Sequence, residues 1–380
     1  MAQAYTAACT FLAHLVACRS CSSDLKAADC SNRTLIDYAQ QELTRWGYSC
    51  HMVEVLPGKW NLYADLRPDL PVGLLLSGHS DTVPPDSAGW QSDPFCLTTR
   101  DGSLYGLGAC DMKGALACFM ALAQEIAVRK SKLRQSLTLL FTCEEETSMA
   151  GARQAVSLVR PSALCIIGEP TSLTPVIAHK GYAARTLTIK GRSAHSSNPR
   201  AGRNAITGLK LALDCLDKVA ARLASELDPG YSVPYATLNY GLVSGGQCIN
   251  QICAQVDLSF DLRPLHYGTQ EDLNAMLQAA LAPVRQAGFE FALTVPYVDV
   301  PALEQDISPL LQDFVKLCPQ KPCKVNYCTE GSILKACAQA VVVCGPGSID
   351  KAHQIDECVP QSDMRAYVKL LQDVSLQVLF

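Results

Sequence analysis

No stretch of this 380-residue chain approaches the run of about 18 apolar residues that a membrane-spanning helix needs. The opening segment MAQAYTAACTFLAHLVACRSC is mildly apolar but has no basic start and no small-residue cleavage pattern. No signal peptide is expected there, and a cytoplasmic protein is the default. An excess of either charge is missing too. Charged residues make up 18% of the chain and the net charge is -4, which gives no reason to expect nucleic acid or a membrane as partner. The one basic cluster, Arg129, Lys130, Lys132 and Arg134, lies between a helix-like and a strand-like segment and reads as a solvated connection. Low-complexity tracts and internal repeats are absent, and 48% of residues are hydrophobic, so a folded chain is expected.

Cysteine, by contrast, is abundant at 19 residues. Cys110, Cys118, Cys143, Cys165 and Cys215 lie inside apolar segments, where a thiol acts as a small buried hydrophobe in a reducing compartment. Cys18 and Cys21 form a single C-x-x-C without the second pair that a zinc finger requires.

The length suits two domains. The first 170 or so residues alternate helical periodicity (TLIDYAQQELTRWG) with near-continuous apolar strands (VGLLLSG, SLTLLFTC, ALCIIG). That alternation predicts an α/β domain with a mostly parallel mixed sheet flanked by helices. From GYAARTLTIKG onward the order becomes β-α-β-β-α-β, with one helix expected near 270–287, which suits a smaller α+β unit. Helix and strand alternate again from about residue 301. The simplest arrangement is a discontinuous domain, 1–176 and 300–380, interrupted by an inserted domain, 177–299.

Ligands of open α/β sheets bind beyond the carboxyl ends of the strands. Here LLLSG ends in His79, SLTLLFTC ends in Glu144, Glu145 and Glu146, and ALCIIG ends in Glu169. Asp111, in GLGACDMKGA, stands just before a helix, where its charge is favoured by the helix dipole. Each alone has an ordinary explanation as a cap or turn residue. Their convergence on one sheet edge points to metal chemistry. Asp81 lies two residues after His79 on an extended segment and therefore shares its face. It can orient the imidazole through the ring nitrogen that a metal leaves free. Pro84 and Pro85 then end the strand.

The motifs SGHSDTVP, GLGACDMKG, EEETSMAGAR, GEPT and AHQIDE resemble, over nearly the whole length, the dinuclear zinc amidohydrolase and peptidase family (M20). That family includes acetylornithine deacetylases, succinyl-diaminopimelate desuccinylases and carboxypeptidase G2. EEETSMAGAR, CTEG and GPGSIDKAHQIDE bring the chain nearest to the acetylornithine deacetylase branch. The resemblance implies two Zn2+ ions per subunit, with Co2+ able to substitute: His79 and Glu169 on one, Glu146 and His353 on the other, and Asp111 bridging. It also implies Glu145 as general acid/base, with Glu144 standing where the family usually has aspartate. In the insert it implies a lid and dimerisation domain whose His195 reaches a partner subunit's site. Asn250 and Arg263 would contact substrate, and Gly345 and Gly347 could cradle it with backbone N–H groups. The implied activity is hydrolysis of a small-molecule N-acyl amino acid, N2-acetyl-L-ornithine, by a homodimer serving arginine biosynthesis. The alternatives are another N-acyl amino acid hydrolase or dipeptidase of the family, and a non-catalytic binding protein on the same fold. Glu145 and Asp81 favour catalysis, since a pure binder needs neither.

Overall fold

The structure is a computed structural model that describes residues 2–86, 89–266 and 268–380. It divides into unit 1, Met1–Ile177, Gln305–Cys323 and Thr329–Phe380, and unit 2, Ala178–Glu304 and Lys324–Cys328. Unit 1 begins with α1 (Ala2–Ala17) and α2 (Arg33–Arg45), followed by β1 (Ser49–Leu56), β2 (Lys59–Leu66) and β3 (Val72–His79). Two short strands, β4 (Thr98–Arg100) and β5 (Ser103–Tyr105), precede α3 (Lys113–Ala127), β6 (Ser136–Thr142), α4 (Ala150–Ala155) and β7 (Ser162–Ile167), and β8 (Val176–His179) starts in unit 1 and ends in unit 2.

Unit 2 contains β9 (Ala183–Lys190), α5 (Ala205–Leu223), β10 (Thr237–Gly245) and β11 (Gln255–Arg263). It continues with α6 (Gln270–Ala280), α7 (Ala282–Gln286) and β12 (Glu290–Thr294). The chain then returns through α8 (Pro309–Leu317), β13 (Cys323–Val325), α9 (Gly331–Leu334), β14 (Ala338–Val343), β15 (Cys358–Pro360) and α10 (Gln361–Leu379).

The large sheet has the order β1-β2-β6-β3-β7-β14-β8-β13. Its centre is parallel, with β3 paired to both β6 and β7 and β14 paired to β7; β1, β2 and β8 add antiparallel edges. Every residue of β3 and β6 is buried. Continuous apolar strands of this kind belong to a sheet covered on both faces. α3 is buried along nearly its whole length, including Cys118, and α1 buries Ala4, Ala8, Leu12 and Leu15 along one stripe.

The sheet of unit 2 is antiparallel throughout, in the order β10-β11-β9-β12. β11 alternates buried and half-exposed residues, so only one face meets the helices. The single helix expected over 270–287 is in fact two, α6 and α7. Pro283 explains the break, because it has no N–H to continue the i→i−4 ladder and its ring crowds the preceding turn. Among the described residues, no helix is long and apolar enough to cross a membrane.

Candidate metal centre

Two close approaches bring the acidic residues of unit 1 together. Gly78 and Gly168 immediately precede His79 and Glu169 on adjacent parallel strands. A Cβ on Gly78 would lie 2.3 Å from Met112 Cε, and one on Gly168 would lie 2.5 Å from Ala115 Cβ. Only glycine lets the start of α3 press onto the two strand ends. Asp111, one residue before Met112, is thereby held between His79 and Glu169. The Asp111–Met112 peptide bond is cis.

Among the described residues, two groups result that could hold a metal ion: His79, Asp111 and Glu169, and Asp111, Glu146 and His353. His79 Nε2 lies 3.0 Å from Asp111 Oδ1 and 3.9 Å from Glu169 Oε2. His353 Nε2 lies 3.0 Å from Glu146 Oε1 and 3.6 Å from Asp111 Oδ2. Asp111 thus turns one oxygen to each group, which is the geometry of a bridging carboxylate.

The electrostatics explain why such a cluster calls for cations. Burial and the charge of Glu169 push Glu145 well above the usual carboxylate range; burial and the charge of Asp111 do the same to Glu169. Glu146 is also raised, by burial, against the pull of His353. Asp111 is lowered: burial opposes its charge, but the His79 bond and the nearby imidazoles outweigh burial. Burial alone would lower His79, yet the Asp111 bond and the surrounding carboxylates hold it well above an ordinary histidine. Among the described residues, Glu169 Oε1 is buried without a hydrogen-bond partner. Crowded carboxylates, an orphaned oxygen and two imidazoles without thiolate fit divalent zinc, cobalt or manganese.

The turn after β3 departs from the sequence-based expectation. His79 Nδ1 meets the backbone carbonyl of Asp81 at 2.9 Å, while the Asp81 carboxylate is 3.8 Å away. That carboxylate, fully buried, instead accepts the N–H groups of Glu145 and Glu146 at 3.4 and 3.3 Å. These bonds tie it to the glutamate turn, since a buried carboxylate needs donors and the turn supplies them. Glu144 has a left-handed backbone, φ 63°, and is tied away from the ligands. Its Oε1 accepts from Ser22 Oγ and pairs with buried Lys59, both at 2.9 Å, and its Oε2 accepts from Thr147 Oγ1 at 2.7 Å. Fastening Glu144 this way leaves Glu145 and Glu146 to the site.

Gly345 and Gly347 lie in the CGPGS turn. Gly345 donates its N–H to Thr171 Oγ1 at 3.2 Å, and Gly347 donates to Asp363 Oδ2 at 3.3 Å. Both N–H groups meet side chains of unit 1.

The remaining candidates lie in unit 2. His195 is exposed, its Nδ1 2.7 Å from Ser197 Oγ, and it forms an isolated bridge with Gln251. Asn250 is exposed, and its carbonyl accepts from Ser196 N at 3.0 Å. Arg263 is half-buried, stacks over Tyr182 with its Cζ 4.4 Å from the ring centre, and pairs with Asp261 at 3.2 Å.

Two buried acids were not singled out from the sequence. Glu330 accepts from Thr142 Oγ1 at 2.9 Å, and burial raises it to about 7. Glu357 accepts three backbone N–H groups of the Asp111 loop. They stand inside the motifs CTEG and AHQIDE respectively, and membership of those motifs is the available signal.

The family model described as Peptidase family M20/M25/M40 matches residues 75–377. The chain belongs to this family. An acetylornithine deacetylase of Photorhabdus laumondii subsp. laumondii is 40% identical over 359 residues, covering 92% of this chain and 91% of that protein. Among solved structures, an M20 family metallo-carboxypeptidase from Sulfolobus solfataricus superposes with TM-score 0.76 at 17% identity, over 98% of each chain. A Bacillus subtilis protein described as a dinuclear metal binding peptidase from M20 family gives 0.69 at 12% identity, over 100% of this chain and 99% of that one. At those identities the M20 structures establish a shared fold.

Proposed function

We propose that this M20 chain hydrolyses N2-acetyl-L-ornithine to acetate and L-ornithine with two divalent metal ions, zinc in the native state and cobalt as a working substitute. The observation that carries the metal chemistry is Asp111, whose two oxygens face two separate histidine–carboxylate pairs. The 40% identity to an acetylornithine deacetylase over most of both chains supports the substrate. His79, Asp111 and Glu169 would hold one ion, and Asp111, Glu146 and His353 the other. When bound, the ions supply Lewis acidity, lowering the pKa of the attacking water and polarising the acetyl carbonyl.

Glu145 takes a proton from that water as its oxygen bonds to the acetyl carbon. It returns a proton to the nitrogen as the C–N bond breaks, so that a neutral amine leaves. Asp81 holds the backbone of Glu145 and so aims the base. Arg263 offers a planar fork for the substrate carboxylate, and Asn250 a further polar contact.

The reading extends to a homodimer formed through the insert as lid and dimerisation domain. β10 is an edge strand, with Leu242 74% and Val243 64% exposed. An uncovered apolar edge of this kind is a natural pairing surface. Across a two-fold axis, His195 would then serve the partner's reaction as an oxyanion donor.

A hydrolysis panel tests the substrate. With zinc or cobalt restored after chelation, N-acetylornithine should be turned over faster than N-succinyl-diaminopimelate, N-acetylmethionine or a dipeptide. Preference for any of the other three overturns the acetylornithine assignment, and full activity in verified metal-free protein overturns the metal chemistry.

A further inference from the structure

Glu357 lies four residues beyond His353 and is 2% exposed. Its two carboxylate oxygens are fully engaged by one loop, far away in sequence. Oε1 accepts from Cys110 N at 2.8 Å and from Asp111 N at 2.9 Å, while Oε2 accepts from Gly108 N at 2.8 Å. The Glu357 backbone carbonyl takes a fourth N–H, from Gly106, at 3.1 Å. A single residue therefore satisfies four donors between residues 106 and 111, and the last of these belongs to Asp111 itself.

The other end of this clamp is the His353 loop. His353 and Asp356 both have left-handed backbones, each with φ 57°, so the segment from His353 to Glu357 doubles back sharply. Asp356 accepts the Gln91 N–H at 2.9 Å and pairs with Arg100 at 3.4 Å, pinning the outer side of the loop. Glu357 fastens its inner side. The His353 side chain is 49% exposed, and its Nε2 contacts are to Glu146 and Asp111.

The two ligand groups depend on this clamp unequally. His79 and Glu169 stand at the ends of adjacent buried strands, β3 and β7, and Nδ1 of His79 is locked by the Asp81 carbonyl. Asp111 is the one member of that group that Glu357 holds. In the other group Glu357 governs two of three ligands, His353 through the chain and Asp111 through hydrogen bonds.

We infer that Glu357 is a positioning residue that sets the spacing between Asp111 and His353, and that it selectively maintains the metal position shared by Asp111, Glu146 and His353. This rests on the two-metal reading of the site. Glu357→Gln keeps the side-chain shape but sets an amide N–H₂ or a neutral oxygen against donors that a carboxylate accepted. Asp111 and His353 are then no longer held at one separation.

The experiment uses the full chain, stripped with chelator and titrated with zinc and with cobalt by equilibrium dialysis, elemental analysis and cobalt absorption. Wild type should bind two equivalents. Glu357→Gln should keep its first equivalent within about threefold of wild type and weaken the second by roughly 10- to 100-fold, the range for a group that orients a ligand. The cobalt spectrum of the second equivalent should change while that of the first does not. Glu357→Asp keeps the charge but draws it back one methylene, and should show the same selective loss; it keeps the test decisive if the glutamine variant does not fold.

Unchanged binding of both ions, or equal weakening of both, overturns the inference, the second result being that of a general structural support. Asp111→Asn separates the two levels of the argument. If that variant weakens both ions while Glu357→Gln leaves them intact, the positioning role fails and the site reading stands. If Asp111→Asn binds both ions as wild type does, the two-metal reading fails and takes the positioning role with it.

Discussion

His79 in unit 1 and His179 in unit 2 are both buried imidazoles, 1% and 0% exposed. Each places Nδ1 2.9 Å from a backbone carbonyl, that of Asp81 and that of Lys180 respectively. Their proton affinities nonetheless move in opposite directions. Burial lowers His179 to about 4, with the Lys180 carbonyl unable to compensate, and its Nε2 has no hydrogen-bond partner among the described residues. Nε2 of His79 faces Asp111 and Glu169, and those carboxylates overcome burial. The same residue type with the same local bond is a core imidazole in one unit and a candidate ligand in the other. What differs is the second nitrogen's surroundings. The contrast extends to the units themselves: the candidate ligands of unit 1 have partners waiting inside the unit, whereas His195 and Asn250 of unit 2 face solvent.

Removing proton transfer from unit 1 should produce the largest effect. Glu145→Gln should lower kcat roughly 10²- to 10⁴-fold with metal content retained, while Glu146→Gln should lose metal. Elemental analysis beside steady-state kinetics checks both, and a swap of the two phenotypes would reassign base and ligand within the three glutamates.

Next in size is the unit 2 histidine. His195→Ala should cost about 10²- to 10³-fold in kcat, the usual loss for one oxyanion donor, with both ions still bound. Mixing it with Glu145→Gln should regenerate activity on subunit exchange, because one site of the heterodimer then has both groups. Proven heterodimers without recovered activity would restrict His195 to its own subunit or to no catalytic role.

The paired histidines make a prediction about acid stability. His179 binds its proton at about 4 when folded against about 6.5 when unfolded. Between those values the unfolded state holds a proton that the folded state lacks. Stability therefore falls as pH drops from 6.5 towards 4, by about 3 kcal/mol in all, and His179 contributes no pH dependence above that window. Denaturant melts of wild type and His179→Asn across this range should differ in slope, the variant being flatter; parallel curves would mean that the imidazole is solvated or paired in the native protein.

The smallest effect is expected at Arg263, which is already half-buried against Tyr182 and Asp261. Arg263→Lys keeps the charge and loses the fork, so KM should rise roughly tenfold with kcat little changed. An unaltered KM would leave Arg263 as a structural partner of Asp261.

Much of the fold was legible because it depends on local pattern. Continuous apolar runs in β3, β6 and β7 announce a sheet covered on both faces, and the alternation in β11 announces one covered on a single face. Ligand types at strand ends could be read for the same reason, since a strand's direction fixes which end faces the crevice. The break between α6 and α7 was visible only as Pro283, whose effect helical periodicity on both sides conceals.

Residue identity and spacing, then, determined the chemistry available to this protein: histidine and carboxylate without thiolate, placed at strand ends, with glycines before His79 and Glu169. Tertiary structure alone decided which hydrogen bonds those groups make. Asp81 spends its carboxylate on the glutamate turn, Gly345 and Gly347 spend their N–H groups on Thr171 and Asp363, and Glu357 joins two loops some 246 residues apart. The physical reason is that a buried polar group must find a partner wherever the fold provides one, and partners distant in sequence carry no periodic or local signal.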